Sequence, residues 1–238
     1  AMAALNPEVT ITSRAEWLTP ANAPALVAGC DIALDCADTF AASLTLSDVA
    51  LATGKPLISA SALGLSGYVG GFCGAAPSLR AVFPDLPQTA ATCATAGVLG
   101  PVVGLIGAAQ AQMALSVLLG LSPSSLGQLM IWDAANWRMS GFRFDAAPEP
   151  EPETLTPFIA ESQITPHDLV IDLRTEAPAP FSVQARHVPP EALPDLPLPP
   201  DASRIVLACR TGLRAHHAAN TLRARWPGEI ALLALPGA

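Results

Sequence analysis

The sequence has 238 residues, enough for one large or two small domains with their own hydrophobic cores. Hydrophobic residues make up 51% of the chain, aromatic residues 5%, and the formal net charge is −8. This negative charge, without a basic patch that carries interleaved aromatic residues, excludes a general nucleic-acid binder and a protein drawn to anionic membranes.

The five cysteines are Cys30, Cys36, Cys73, Cys93 and Cys209, and they form no C-x-x-C pair. An odd, scattered set favours a reducing cytosol over a fold held by disulfides. The N-terminus also lacks the basic region and apolar run of a signal peptide. We therefore expect a cytoplasmic protein, with Cys30, Cys36 and Cys73 in its core.

The first part of the chain alternates strand and helix patterns. In order, we expect a turn and short strand at 6–11, a helix at 22–28, a strand at 31–36, a helix at 40–53, a strand at 55–59 and a glycine-rich strand or hairpin at 64–72. This alternation predicts an α/β fold with a mostly parallel sheet and helices on its faces.

No charged residue lies between Asp85 and Asp133, and residues 97–121 are hydrophobic enough to pass a simple test for a membrane span. Pro101, Gln110 and Gln112, without flanking Lys or Arg, argue against that interpretation. We expect a helix buried on most sides, in a sheet core or a subunit interface. An antiparallel strand pair, at 126–133 and 137–144, should close this part of the fold.

A segment rich in proline and glutamate, residues 146–157, resembles a linker. It divides the sequence into a first domain at 1–145 and a second at 158–238. In the second domain we expect strands at 169–173, 205–208 and 229–235, and a helix at 213–225.

The candidate reactive group is Cys209, which follows the apolar run at 205–208. Open α/β sheets place reactive groups just past the carboxyl ends of such strands. Arg210 and Arg214 flank the cysteine, and Gly212 lets the loop curl so that its N–H groups face inward. A helix should begin at about Leu213, and its positive end also favours an anion. We expect these groups to stabilise the thiolate form of Cys209.

The loop sequence CRTGLR resembles the active-site loop of rhodanese (sulfurtransferase) domains. The segments 172–174 (DLR), 185–189 (ARHVP) and 235–238 (LPGA) resemble further motifs of that family, in the same order. The resemblance implies a small α/β domain in which Cys209 takes sulfur from a small donor and becomes a persulfide. Arg210 and Arg214 would hold the donor anion, and the N–H groups of Thr211 and Gly212 would cradle the sulfur. No cofactor is required for such a transfer.

The first domain resembles the MoeB/ThiF/HesA family. The resemblance rests on the segments 6–9 (NPEV), 35–38 (DCAD), 55–58 (KPLI), 83–84 (FP), 92–101 (TCATAGVLGP) and 110–111 (QA). It implies a Rossmann-like sheet and adenylation, with ATP and magnesium, of a ubiquitin-like sulfur carrier that ends in Gly-Gly. Members of that family are also known as fusions to a C-terminal rhodanese domain and as dimers.

Several family features are missing, so a truncated Rossmann-like domain is expected. The resemblance begins at the family's third strand, and no G-x-G-x-x-G occurs in the sequence. Asp38 matches the family's magnesium-binding aspartate, but Thr39, Ser43 and Ser47 replace the expected Asn, Arg and Asn. Adenylyl transfer depends on positioned positive charge, so we expect this activity to be lost and ATP and magnesium to be needed only where it persists. Asp38 is equally well explained as a carboxylate that caps the end of a strand.

Two further sites of the family depend on cysteines, and this sequence keeps only one of them. Ser78 and Ala81 stand where the first zinc-binding C-x-x-C would fall, and the second pair is replaced by the linker, so no metal site is expected. Cys93 matches the crossover-loop cysteine that forms a covalent sulfur link with the carrier in some members.

Three functions remain open on the sequence. The first is a rhodanese-type sulfurtransferase that works through Cys209. The second is a non-catalytic module that docks the carrier or pairs with an intact homologue, and the third is an adenylyltransferase whose nucleotide unit is supplied elsewhere. The expected partners are a carrier ending in Gly-Gly, a small sulfur donor and a second subunit, either another copy or an intact homologue.

Overall fold

The structure is a computed structural model, and it describes residues 2–87, 91, 93–175, 177, 179–198 and 204–235. Its helices are α1 (Met2–Leu5), α2 (Ala23–Ala28), α3 (Phe40–Thr53), α4 (Leu79–Val82), α5 (Cys93–Ala96), α6 (Gly100–Leu118) and α7 (Leu213–Arg223). Its strands are β1 (Ala33–Asp35), β2 (Pro56–Leu63), β3 (Ser66–Cys73), β4 (Gln128–Asp133), β5 (Arg138–Arg143), β6 (Asp168–Asp172), β7 (Arg186–His187), β8 (Arg204–Cys209) and β9 (Glu229–Ala234).

In the described part of the chain, nine strands form two sheets, with the orders β1-β2-β3-β4-β5 and β7-β6-β8-β9. In the first sheet β1 and β2 are parallel, and β3, β4 and β5 follow as an antiparallel meander. Every pairing in the second sheet is parallel. Four of the seven strand pairings described are therefore parallel, and the α/β class predicted from the sequence is confirmed.

Helix α3 begins and ends where its sequence directs. The hydroxyl of Thr39 accepts a hydrogen bond from the N–H of Ala42 at the N-terminus. Gly54 ends the helix with a φ of 64°, a left-handed conformation that glycine adopts without steric cost.

The strand predicted at 6–11 is wrong, because residues 6–11 are exposed and contain no strand.

Helix α6 packs on the first sheet along one face only. Val102, Ile106 and Met113 are buried on that face, whereas Val103 and Leu115 are about half exposed on the other. The sheet core that the sequence offered for this helix is therefore wrong, and burial of its outer face in a subunit interface stays a prediction. Among the residues described, α6 alone is long and apolar enough to cross a membrane, and 28% of its most apolar window is buried inside the protein. A helix that packs on a sheet with one face passes the same test.

The two halves of the chain share one hydrophobic core. Ala41 and Leu44 of α3 belong to the same buried cluster as Phe158 and Leu213. The linker also lies against the protein, since the hydroxyl of Thr156 is buried and accepts a hydrogen bond from the Arg223 guanidinium. The second sheet is consequently held beside the first by direct packing as well as by the connecting chain.

Candidate functional site around Cys209

Cys209 is the last residue of β8, at the carboxyl edge of the parallel second sheet. Its Sγ accepts hydrogen bonds from the N–H groups of Gly212, at 3.2 Å, and Ala215, at 3.4 Å. The loop reaches this shape because Gly212 has a φ of 89°, which residues with a side chain rarely adopt. Helix α7 begins directly after Gly212, so its positive end also faces the sulfur.

The sulfur is enclosed, because Cys209 is only 1% exposed. Its cluster contains apolar side chains from the second sheet and from α7, among them Leu173, Leu207 and Leu213. At 1% exposure Cys209 offers almost no surface to a reactant in solvent. The loop must therefore move before Cys209 can react with a molecule from solution.

The two arginines of the loop occupy different environments. The Arg214 guanidinium donates from Nη1 to the carbonyl oxygen of Leu173, at 3.2 Å, and this bond ties it to the end of the neighbouring strand β6. Arg210 is exposed to solvent. Arg214 is exposed as well, so both cations lie on the surface of the loop, and the bond to Leu173 holds Arg214 at the sheet edge.

A buried ion pair lies directly after β6. Asp172 is fully buried, and its carboxylate lies 2.9 Å from Nη2 of Arg174, which is also buried. The carboxylate also accepts hydrogen bonds from the backbone N–H groups of Arg174 and Phe181. Burial alone would raise the pKa of Asp172, but these hydrogen bonds and the Arg174 charge hold it below its usual range. The sequence analysis used residues 172–174 only as a family motif and did not predict this ion pair. The signal for it was an aspartate and an arginine two residues apart at the end of a strand.

The first half of the chain touches the loop through the start of α3. The N–H of Ala41 donates to the carbonyl oxygen of Thr211, at 3.3 Å. Gly212 packs against Ala41 and the ring of Phe158, and a Cβ at Gly212 would lie 3.2 Å from Cβ of Ala41. The loop that carries Cys209 is thus a contact between the two halves.

The residues around Asp38 do not fit a nucleotide phosphate. Asp38 is exposed, and two N–H groups of the first turn of α3 already have acceptors, the Thr39 hydroxyl and the Thr211 carbonyl. A phosphate at a helix start needs such N–H groups to be free. The carboxylate at the end of β1 is instead Asp35, which is buried and accepts from Ser59 at 2.8 Å and from the N–H of Ala37.

Two of the other cysteines differ from their expected places. Cys30 and Cys36 are exposed thiols, so the core positions predicted for them are wrong. Both follow the end of a short element, where the chain leaves the core. Cys73 is buried, as expected, and burial raises the pKa of its thiol to about 11. Cys93 begins α5, but its side chain lies outside the described part of the structure, so its covalent role stays a prediction.

The sequence analysis assigned no structural role to Gln110. The structure shows that its side chain joins a helix to two strands. Its side-chain N–H group donates to the carbonyl oxygens of Asp35, at 2.8 Å, and Ile58, at 2.9 Å. Its oxygen lies 3.4 Å from Sγ of Cys36. Gln110 therefore connects α6 to the carboxyl end of β1 and to the first half of β2. A polar residue in the middle of a charge-free helix was the signal for this contact.

The segment where the family's first zinc-binding C-x-x-C would fall contains a hydrogen-bonded contact. Ser78 donates to Glu149 of the linker, and Ser78 also caps α4 through the N–H of Ala81. Among the residues that the structure describes, no three His, Cys, Asp or Glu side chains are close enough to hold a metal ion.

A cavity of about 160 Å³ lies between the two halves, one helical turn from the contact between Ala41 and Thr211. Leu44 of α3 and His216 of α7 line it. Burial lowers the pKa of His216, and the positive charges of His217 and Arg80 lower it further. Nε2 of His217 lies 2.9 Å from the carbonyl oxygen of Pro87, so this histidine adds a contact between the halves.

These features define an α/β protein whose first sheet has a Rossmann-like parallel start and whose second sheet presents a cysteine loop at its carboxyl edge. The sequence model of the ThiF family matches residues 1–173, and the chain belongs to that family.

Two relatives carry the name adenylyltransferase and sulfurtransferase MOCS3. The protein of Drosophila grimshawi is 37% identical over 147 residues, which are 60% of this chain and 33% of the relative. The protein of Sus scrofa is 40% identical over 133 residues, which are 55% of this chain and 29% of the relative. The chain thus matches about a third of the length of these relatives.

Among solved structures, the crystal structure of E. coli MccB with ATP has a TM-score of 0.51 to this chain and 13% sequence identity. The similarity covers 62% of this chain and 47% of MccB. At this identity the similarity concerns the fold alone.

Proposed function

We propose that this chain is a sulfur-transfer protein of a sulfur-carrier system, and that Cys209 carries the sulfur. The observation that carries the proposal is the pair of N–H groups, from Gly212 and Ala215, that point at Sγ of Cys209. Together with the start of α7 they favour negative charge on the sulfur. The names of the relatives, which include sulfurtransferase, support the same chemistry.

The transfer takes place in two balanced steps. The thiolate of Cys209 attacks the outer sulfur of a donor such as thiosulfate, a new S–S bond forms, and the donor's own S–S bond breaks to release sulfite. A nucleophilic acceptor then attacks the outer sulfur of the persulfide, and Cys209 leaves as the thiolate. Arg210, on the surface of the loop, attracts the anionic donor, and Arg214 holds the loop against the end of β6. The N–H groups of the loop hold the charged sulfur.

The proposed partners follow from this chemistry. They are a small anionic sulfur donor and a ubiquitin-like carrier that ends in Gly-Gly. A second subunit, which is another copy or an intact homologue, would cover the exposed apolar face of α6. Sulfur transfer itself needs no ATP or magnesium, and the occupied N–H groups at the start of α3 support the proposal that adenylation is lost. A reducing cytoplasm suits a thiol that must stay free.

A second candidate is a non-catalytic docking module for the carrier or for an intact homologue. The observation that favours it is the burial of Cys209, since a sulfur that never becomes exposed transfers nothing. Under this alternative the purified chain captures a small carrier protein with a Gly-Gly end but turns over no sulfur donor.

The test is thiocyanate formation from thiosulfate and cyanide by the purified chain. Cys209→Ser should reduce turnover to background, and Cys36→Ser, which changes an exposed thiol, should retain it. Mass spectrometry after addition of thiosulfate should find one added sulfur atom on the peptide that contains Cys209. Turnover that survives Cys209→Ser would end the proposal.

A further inference from the structure

The start of α3 and the Cys209 loop meet in a small, well-defined contact. The N–H of Ala41 donates to the carbonyl oxygen of Thr211, and Gly212 is held between Ala41 and the ring of Phe158. Ala41 is 6% exposed and Phe158 is 7% exposed, so solvent does not enter this contact. The contact therefore fixes the two loop residues that lie between Arg210 and α7.

The same loop residues determine where the sulfur of Cys209 lies. The N–H of Gly212 donates to Sγ, and the carbonyl oxygen of Gly212 accepts from the N–H of His216 in the first turn of α7. A loop fixed at Thr211 and Gly212 therefore keeps the sulfur in its buried position, where Cys209 is 1% exposed. In contrast, Cys30 and Cys36 of the same chain are exposed.

The packing next to this contact is incomplete. The cavity of about 160 Å³ separates α3 from α7 one turn further along both helices, where Leu44 and His216 line it. The start of α3 therefore has unfilled space beside it into which it can move away from the loop. A local opening of this kind costs less free energy than unfolding of either sheet.

We propose that the contact of Ala41 with Thr211 and Gly212 is a latch that holds Cys209 in a closed, unreactive state. The first half of the chain thereby controls access to the sulfur of the second half, and separation of α3 from the loop exposes the thiol. The inference rests on the proposed role of Cys209, but the latch is tested by thiol access alone.

The experiment measures alkylation of each cysteine by iodoacetamide in the intact folded chain, with peptide mass spectrometry as the readout. In the unchanged chain Cys209 should be alkylated about a hundredfold more slowly than the exposed Cys36. Ala41→Leu places a larger neutral side chain against Gly212 and should accelerate alkylation of Cys209 by about tenfold. Ala52→Leu, on an exposed position of the same helix, is the matched control and should change nothing.

A second variant keeps the test valid should Ala41→Leu fail to fold, as judged by circular dichroism. Phe158→Leu removes part of the ring that packs on Gly212 and should also accelerate alkylation of Cys209. The latch is refuted when Cys209 of the unchanged chain reacts as fast as Cys36. It is equally refuted when neither folded latch variant reacts faster than Ala52→Leu.

Thiocyanate formation, measured on the same samples, separates the two proposals. Faster alkylation without any sulfur turnover supports the latch and refutes sulfur transfer by Cys209. The opposite result is turnover that requires Cys209 together with an alkylation rate of Cys209 that the latch variants leave unchanged. That result supports sulfur transfer by Cys209 and refutes the latch.

Discussion

Glu149 and Ser78 form a two-point contact, in which both carboxylate oxygens of Glu149 accept hydrogen bonds from Ser78. The backbone N–H of Ser78 donates to one oxygen at 2.6 Å, and its hydroxyl donates to the other at 2.6 Å. The contact fastens the linker to the start of α4, where the helix dipole favours a negative charge. The sequence predicted a linker at residues 146–157, and this contact shows that the linker is docked on the first half of the chain.

We expect Glu149→Gln to lower the free energy of unfolding by about 1 to 2 kcal/mol, because an amide offers only one acceptor oxygen and no charge. Urea denaturation at neutral pH measures the change. Glu151→Gln alters an exposed glutamate of the same linker and should have little effect. Equal stabilities of the two variants would show that the contact contributes nothing.

Asp172→Asn should destabilise the second half at neutral pH by about 3 kcal/mol, because it leaves the buried Arg174 without its counter-charge. The pKa of Asp172 is lower in the folded chain than in the unfolded chain, where an aspartate has a pKa of about 3.9. The stabilising contribution is therefore complete above pH of about 4 and is lost as the pH falls below it.

Urea midpoints measured from neutral pH down to about pH 3 check this prediction. The unchanged chain should lose stability below about pH 4, and Asp172→Asn should show a flatter curve in that range. Asp31→Asn, at an exposed aspartate, serves as the control. A curve of stability against pH for Asp172→Asn that runs parallel to that of the unchanged chain would contradict the lowered pKa of Asp172.

The two arginines of the loop should affect different kinetic constants. Arg210→Gln removes a cation from the exposed part of the loop, so we expect a KM for thiosulfate raised by about tenfold with little change in kcat. Arg214→Gln breaks the hydrogen bond to the Leu173 carbonyl and should lower kcat by about tenfold or more, because the loop loses its position. Steady-state kinetics with thiosulfate measure both constants, and Arg186→Gln, at an exposed arginine of β7, is the control.

The proposed homodimer should depend on the outer face of α6. Val103 is 45% exposed and Leu115 is 52% exposed, and no charged residue lies on this helix. A carboxylate buried in an apolar contact is costly, so Val103→Glu and Leu115→Glu should each convert dimers to monomers in sedimentation velocity. Leu51→Glu, at an exposed leucine of α3, should leave the sedimentation unchanged. A chain that is already monomeric would refute the homodimer.

The elements with strong local signals could be predicted from the sequence. Helix α3 has Thr39 before its first residue and Gly54 after its last, and the structure gives the predicted range of 40–53. Strand β8, the loop and α7 follow equally clear apolar and glycine signals. The strand expected at 6–11 has an apolar pattern, but no described strand lies beside it, and a strand alone in water lacks the packing and cross-strand hydrogen bonds that stabilise it.

The contacts between distant parts of the chain could not be predicted. Ala41 carries no signal that its N–H will meet Thr211, since any residue supplies that donor. The burial of Cys209 depends in the same way on how the loop is held, and the loop sequence by itself favours a reactive thiol. The sequence predicted the residues that could perform the chemistry, whereas their accessibility depends on packing between segments far apart in the chain.

Strand β5 is the outer strand of the first sheet in the described part of the chain, and all six of its residues are exposed. Met139 and Phe142 make it an apolar template for further strand pairing, which is how edge strands seed aggregation. Arg138 and Arg143 stand at its two ends, and charges on an edge oppose the addition of another strand. These two charges therefore oppose the pairing of a further strand with the free edge of the β4–β5 hairpin.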